Sequence, residues 1–382
     1  MQKLLIIHTK YRDRGGEDVA VENGVELLKK HFNVKTIYFS NEIENYFIQV
    51  IAFILNRNIK SDRKIINEID SFDPDYIYIH NTWFKGSLGI FKIVNRYKIK
   101  TILKIHNFRY DCTKSFFSRN HFLNDKICKA CGLNSESVGI FNKYFNFSFL
   151  RSLLVNHYGK KYFKILKDTD MKLLVLTDFH KKYLIDLNIP FEKIEIFSNY
   201  LPIKDLKTNN TNDKFIVYAG RISEEKGVEE LINSFLKANL QNIKLKLIGS
   251  GPILNYLEEK YDDPRIIYIG EVDNREALKH IAESTAVVTA TKLYEGQPTL
   301  LCEASSMGVP SIFPKSGGIE EFFPKNYELS FDQFNYHSLE KKLKLILNQE
   351  LMIKTGEENK EYISKYLSED ALISKFQRIL NE

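Results

Sequence analysis

Residues 286–310 read AVVTATKLYEGQPTLLCEASSMGVP, and this one stretch holds a strand, a turn and a helix in succession. The apolar run Ala286–Ala290 is a strand candidate and Pro298–Met307 an apolar helix candidate. Pro298 suits the first helical position, because its fixed φ is preset for a helix and its missing N–H is not needed there. Gly308 and then Pro310 stop the helix. With a helix opening at Pro298, Thr299 and Glu303 share a face one turn apart, while Glu295 lies in the preceding loop. The two carboxylates can then grip opposite ends of an elongated ligand. The free N–H groups at the helix start face its anionic middle. A sugar joined to a ribose through a diphosphate has that layout.

The same unit recurs around this stretch. In the second half, strand candidates at 215–219, 244–248, 266–269, 286–290 and 309–313 are each followed by a Gly-containing loop and a helical pattern. The first half alternates strand candidates Leu4–His8, Val34–Phe39, Tyr76–His80, Thr101–His106 and Leu173–Thr177 with helical stretches such as Glu17–His31 and Leu88–Arg96. Strand–helix alternation predicts parallel sheets covered on both faces, which bind ligands beyond their strand C-termini. The polar stretch Lys204–Lys214 is the linker candidate. The expected fold class is α/β, with two doubly wound Rossmann-like domains at 1–203 and 204–358 and a C-terminal helical segment at 359–382.

A chain of 382 residues has room for two full cores, and 43% hydrophobic with 27% charged content is that of a soluble globular protein. No apolar run reaches the roughly 18 residues that cross a bilayer. The N-terminus Met-Gln-Lys-Leu-Leu-Ile-Ile-His lacks the apolar core and cleavage site of a signal peptide. Four cysteines do not make a disulfide framework at this length, so a reducing cytosol is the expected compartment. Neither half carries Gly-x-Gly-x-x-Gly after its first strand, and Gly-x4-Gly-Lys-Ser/Thr is absent. Dehydrogenases of the dinucleotide-binding type and P-loop NTPases are therefore disfavoured. Charge is uneven: residues 1–200 hold 32 Lys/Arg against 21 Asp/Glu, and residues 201–382 hold 23 against 28. A basic first half suits an anionic partner.

Upstream, Phe215-Ile-Val-Tyr-Ala-Gly220-Arg221-Ile-Ser-Glu-Glu-Lys226-Gly227 reads as a strand, a tight loop bearing Arg221 and Lys226, and a helix start. Together with Glu295-x7-Glu303 it resembles the donor-site elements of retaining glycosyltransferases of family 4. Those enzymes have the GT-B fold, two Rossmann-like domains facing across a cleft. The resemblance covers the whole chain and is closest over 215–325. It implies transfer of a hexose-type sugar, with retention, from a UDP- or GDP-linked donor to a glycan or lipid-diphosphate-linked acceptor. The setting it implies is bacterial surface polysaccharide assembly (capsule or lipopolysaccharide), with no cofactor. It also implies that the last helix, about Ser368–Leu380, crosses back to brace the first domain. A GT-B-shaped phosphorylase or nucleotide-sugar epimerase shares these features, as does a non-enzymatic nucleotide-sugar-binding protein. Intact Glu295, Glu303, Arg221, Lys226 and His106 speak against the last.

By that resemblance, Arg221 and Lys226 neutralise the diphosphate leaving group, and His106 and Glu295 sit beside the transferred sugar as the remaining catalytic residues. Glu303 holds the ribose hydroxyls. Backbone N–H groups of Gly296, Gln297, Thr299 and Leu300 reach sugar and phosphate oxygens, and Gly220, Gly249 and Val272 line the nucleotide pocket. Gly16, with Gly15, approaches the donor phosphates from the first domain. The residue chemistry agrees in part: an Arg fork and a mobile Lys head are complementary phosphate ligands. Paired glycines at a helix start allow close backbone approach. Gly249-Ser250-Gly251-Pro252 serves equally well as a plain strand–helix turn.

Two similar tripeptides, Ile79-His80-Asn81 and Ile105-His106-Asn107, end strands of one sheet, where polar residues point into the functional crevice. His80, Asn81, Asn107 and the following Arg109 are the acceptor-side candidates. No Asp-x-Asp stands in a suitable loop, so metal independence is expected. Cys112, Cys128 and Cys131, with His121 between, could close a structural zinc site, ordinary thiols in an inserted loop being the simpler reading. Residues 138–167 hold six Lys/Arg, eight Phe/Tyr and no acid. That mixture suits an anionic membrane surface or a groove for a lipid-linked acceptor. Single-stranded nucleic acid uses the same ingredients, but nothing else resembles an RNA module and no nucleic-acid partner is expected.

Overall fold

The computed structural model describes residues 1–11, 15–40, 45–83, 85–108, 110, 149–202 and 214–382. They form two units, one running to Tyr200 and including Glu369–Glu382, the other spanning Leu201–Ser368.

In the first unit, β1 (Lys3–Lys10), β2 (Asn33–Ser40), β3 (Tyr76–Ile79), β4 (Lys100–Lys104), β5 (Lys172–Val175) and β6 (Ile194–Ile196) build a sheet. Its order is β2-β1-β3-β4-β5-β6, every pair parallel. Leu4 and Ile6 share one face with Tyr78, Ile102 and Leu174, and that face is covered by Val21, Val25 and Leu28 of the helix Gly16–Lys29. The helix Glu369–Asn381 completes the cover: the Phe376 ring lies 5.8, 5.3 and 5.4 Å from Phe32, Tyr78 and Phe197. Lys30 Nζ meets Glu369 Oε2 at 2.7 Å where this helix begins.

The second sheet comprises β7 (Phe215–Ala219), β8 (Lys244–Ile248), β9 (Ile266–Gly270), β10 (Ala286–Val288), β11 (Ser311–Lys315) and β12 (Ser330–Asp332). Its order is β12-β11-β10-β7-β8-β9, again parallel throughout. Successive residues point to opposite faces and both faces are apolar: Ile216, Tyr218 and Val288 pack on one side, Phe215, Val217 and Val287 on the other. The two Rossmann-like sheets are the α/β class expected.

Boundaries moved where proline or shortness intervened. Pro298 occupies the cap position, φ −80 and ψ 92, and the helix runs Thr299–Ser306, one residue later than its sequence suggests. Pro310 accepts from Val287 N but has no N–H to return, so β11 pairs from Ser311 rather than from 309. The three-residue strands β6 and β12 are too short for an alternating pattern to stand out.

Strand order fixes where ligands go. In a doubly wound sheet the crevice opens where neighbouring strands send their chains in opposite directions. That point lies between β1 and β3 in the first sheet and between β7 and β10 in the second.

Candidate functional site

The loops after β7 and β10 meet at the second of these points, and glycine makes the meeting close. A Cβ on Gly227, whose φ is +67, would sit 2.0 Å from the Ala290 carbonyl oxygen. Lys292 N donates to Glu225 O at 2.9 Å, zipping the loops together. Lys226 Nζ therefore reaches Glu295 Oε1 at 2.6 Å, and Thr291 Oγ1 donates to the same oxygen at 3.0 Å. The side chains of Lys226 and Glu295 are 31% and 24% exposed, so the pair is open to a ligand.

The loop after β8 packs in just as tightly. A Cβ on Gly249 (φ +128) would meet Gly220 O at 2.0 Å, and one on Gly251 would meet Ile222 O at 2.1 Å. Backbone bonds Gly220 N to Ile248 O (2.9 Å) and Ile222 N to Ser250 O (2.8 Å) bind the two loops. The glycines of Gly249-x-Gly251 thus first serve loop-to-loop contact. Arg221 is exposed, with its carbonyl accepting from the Tyr218 hydroxyl at 2.8 Å. Burial raises the Tyr218 phenol far above its ordinary range, and the charges of Glu295 and Glu225 add to the shift.

The helix Thr299–Ser306 begins without a side-chain cap, which leaves its first N–H groups to a ligand or water. Gly296, Gln297, Thr299, Leu300 and Glu303 are all half-buried along this loop and first turn. Burial pushes up the Cys302 thiol, and the Glu303 charge adds to it. Val272 is half-buried just past β9, next to the Ser250 Oγ–Glu271 Oε2 bond of 2.8 Å. Sequence reasoning missed a further pair, Gly317 and Gly318. Gly318 N donates to Glu295 O at 2.9 Å, and a Cβ on Gly317 (φ +60) would stand 2.3 Å from that oxygen. Ser316-Gly317-Gly318 after an apolar strand was the available signal.

In the first unit, the residues at the β1/β3 reversal form a second polar cluster. Asp18 is 2% exposed and faces His8 Nε2 at 2.7 Å. It also accepts from Tyr11 N (3.3 Å) and Gly15 N (3.2 Å), tying down both ends of the loop that precedes Gly16. Gly16 is the exposed first residue of its helix. Asn107 Nδ2 donates to Glu17 Oε2 at 3.2 Å, and the Tyr11 hydroxyl donates to the same carboxylate oxygen at 2.7 Å. His8, Asp18, Tyr11 and Glu17 were not read as site residues; an acid in a first helical turn looks like ordinary dipole compensation.

His80 and His106 come together, Nδ1 to Nε2 at 2.9 Å with rings stacked at 5.2 Å. Burial holds both well below the ordinary imidazole range, helped by Lys104, His8 and each ring's histidine neighbours. Both are neutral at pH 7, so one ring donates the shared hydrogen and the other accepts. Lys104, buried and itself pushed down by burial, lies 4.6 Å from the Phe197 ring. Asn81 differs from its acceptor-side assignment. It is buried, Nδ2 donates to Thr9 O at 2.9 Å, Oδ1 accepts from Trp83 N at 2.9 Å, and its side chain is spent on scaffold. Arg109, Cys112, His121, Cys128, Cys131 and residues 138–148 lie outside the described residues.

Residues 203–366 match the family model "Glycosyl transferases group 1". The capsular polysaccharide biosynthesis glycosyltransferase CapM of Staphylococcus aureus is 24% identical over 50% of this chain and 52% of its own length. The matches span about half the length of such curated relatives, 40%, 52% and 48% for three of them. One with an uncharacterized glycosyltransferase of Methanocaldococcus jannaschii extends over 96% of this chain at 23% identity. Among solved structures, sucrose-phosphate synthase from Thermosynechococcus elongatus superposes with a TM-score of 0.72 at 14% identity, covering 100% of this chain and 98% of that one. Anabaena HepE in complex with UDP-glucose does so with a TM-score of 0.69 at 12% identity, covering 100% of both chains. Likeness at these identities shows the fold alone, two parallel-sheet Rossmann-like domains of the GT-B class. No helix of the described residues is long and apolar enough to cross a membrane.

Proposed function

We propose that this chain is a retaining glycosyltransferase that moves a hexose-type sugar from a UDP- or GDP-linked donor to a glycan or lipid-linked acceptor in surface polysaccharide synthesis, without a metal. The observation that carries the reading is the Lys226–Glu295 contact of 2.6 Å, made 69 residues apart at the strand-order reversal beside an uncapped helix start. The family match over this half and the relatives in capsular polysaccharide synthesis support it.

In this mechanism Arg221 and Lys226 take the diphosphate charge, with the N–H groups at Thr299 and Leu300 on its oxygens. Glu303 accepts the ribose hydroxyls and Glu295 those of the transferred sugar. The acceptor hydroxyl oxygen bonds the anomeric carbon from the leaving-group face as the bond to the donor phosphate breaks. A phosphate oxygen takes the hydroxyl proton, giving nucleoside diphosphate and a glycoside of unchanged configuration. The protein contributes position and charge rather than a covalent bond. Neutral His106, held by His80, is a hydrogen-bond partner for the sugar.

The test is to incubate the chain with UDP- and GDP-sugars and glycan acceptors in EDTA and to read the product anomer by NMR. A retained linkage formed in EDTA is expected. An inverted product, dependence on a divalent ion, or epimerised donor without acceptor contradicts the proposal.

A further inference from the structure

The helix Tyr46–Leu55 of the first unit turns an apolar face outward. It exposes Phe47 (75%), Ile48, Val50, Ile51, Ile54 (55%) and Leu55 (61%), and Ile59 continues the patch at the start of the next helix. Facing inward are Ala52 and, just past the helix, Asn56, both buried, together with the amide nitrogen of Gln49. A helix lying on a protein in water ordinarily buries its apolar stripe and exposes its polar one. Phe47, Ile51, Ile54 and Leu55 recur at i, i+4, i+7 and i+8, so they share one outward face. A contiguous exposed apolar patch of this kind marks an interaction surface.

The charge around it selects the partner. Arg57, Lys60, Arg63 and Lys64 follow and are all exposed. The single acid between residues 46 and 66 is Asp62, which is buried and held by Arg57 Nε at 2.5 Å. The helix Phe149–Asp168 packs against the apolar one and exposes Lys160, Lys161, Lys164 and Lys167. An apolar face with a cationic border matches the headgroup–acyl boundary of a bilayer containing anionic lipid. A second copy of this chain would set cationic borders against one another, which like-charge repulsion opposes.

We propose that the helix Tyr46–Leu55 seats its Phe47–Ile51–Leu55 face in an anionic lipid surface while Lys60, Arg63 and Lys64 meet headgroup phosphates. The proposal is independent of sugar transfer, since no residue of the donor site takes part. It also moves the membrane-facing element from residues 138–167 alone to a pair of adjacent helices.

Flotation of the full chain with phosphatidylglycerol/phosphatidylcholine vesicles and with phosphatidylcholine vesicles is the test. Wild type should float with the anionic vesicles. Phe47→Ser/Ile51→Ser/Leu55→Ser should weaken that binding about tenfold or more, and Lys60→Gln/Arg63→Gln should erase the preference for phosphatidylglycerol. A Phe47→Trp variant should show a vesicle-dependent blue shift over the parent, whose one Trp is buried Trp83. Transfer to a water-soluble acceptor should be unchanged in the triple variant, which separates this proposal from the catalytic one. Equal flotation of wild type and triple variant, an emission spectrum of the Phe47→Trp variant that vesicles leave unshifted, or a dimer that the triple substitution splits would overturn it.

Discussion

Glu295→Gln separates chemistry from stability. The Lys226–Glu295 pair is short but about a quarter to a third exposed. Solvent screening therefore limits its contribution to folding to about 1 kcal/mol or less. For a unit of this size that is a melting shift of about 2–4 °C at most. The isosteric amide still fills the space beside Gly317 and Thr291, and the backbone bond from Gly318 N is untouched. In the transition state the same carboxylate orients Lys226 and holds sugar hydroxyls. Losing one oriented polar group from an active site costs about 2.7–4 kcal/mol, or about a hundred- to a thousandfold in kcat. The assay is steady-state turnover with the nucleotide-sugar found active, alongside thermal unfolding and the dissociation constant of the nucleoside diphosphate. The last should move less than about threefold, because Glu295 is assigned to the sugar. Turnover within tenfold of wild type, or a melting drop large enough to account for lost activity, would refute the reasoning.

Three other outcomes are expected. Glu303→Gln should weaken nucleoside diphosphate binding about ten- to a hundredfold by calorimetry, the worth of a charged hydrogen bond to ribose, while leaving a minimal phosphate ligand unaffected. Gly227→Ala should cost about 2 kcal/mol or more in chemical denaturation, since φ of +67 and the 2.0 Å approach to Ala290 O both exclude a methyl group. Stability should fall as pH drops below about 6.5, because unfolded imidazoles take up protons that buried His80, His106 and His180 refuse. His180 is held down to about 3 by burial between Phe108 and Tyr110. Each such histidine contributes a slope of about 1.4 kcal/mol per pH unit there. His180→Phe should reduce the slope by one histidine's share, about 1.4 kcal/mol per pH unit, and a flat wild-type curve from pH 7 to 5 would contradict the assignment.

The second wound sheet was legible because its strands are apolar runs punctuated by glycine, as at Tyr218-Ala219-Gly220 and Leu247-Ile248-Gly249, and the first because apolar runs such as Leu4–Ile7 and Ile77–Ile79 alternate with helical stretches. The meeting of Lys226 with Glu295 was legible only through resemblance. Sequence does not say that β7 and β10 are neighbours, and strand order is what joins them. The His80–His106 contact shows the same limit from the other side. The β3–β4 register sets Ile79 opposite Leu103, so the two histidines are two residues out of step and touch through side-chain reach. Asn81 reads as functional because it ends a strand, yet its amide closes the β1–β3 seam. The roles of Asp18 and Gly317 depend on partners in loops distant in sequence or on backbone groups, which carry no residue-type signal.

The most direct test of the account is a thermal-shift titration of UDP, GDP and ADP into wild type and Arg221→Ala/Lys226→Ala. At a hundred times the dissociation constant, a bound diphosphate should stabilise wild type by about 2.7 kcal/mol. Most of that gain should vanish in the double variant. No shift with any nucleotide, or an equal shift in both proteins, would contradict a donor site built on the loops after β7 and β10.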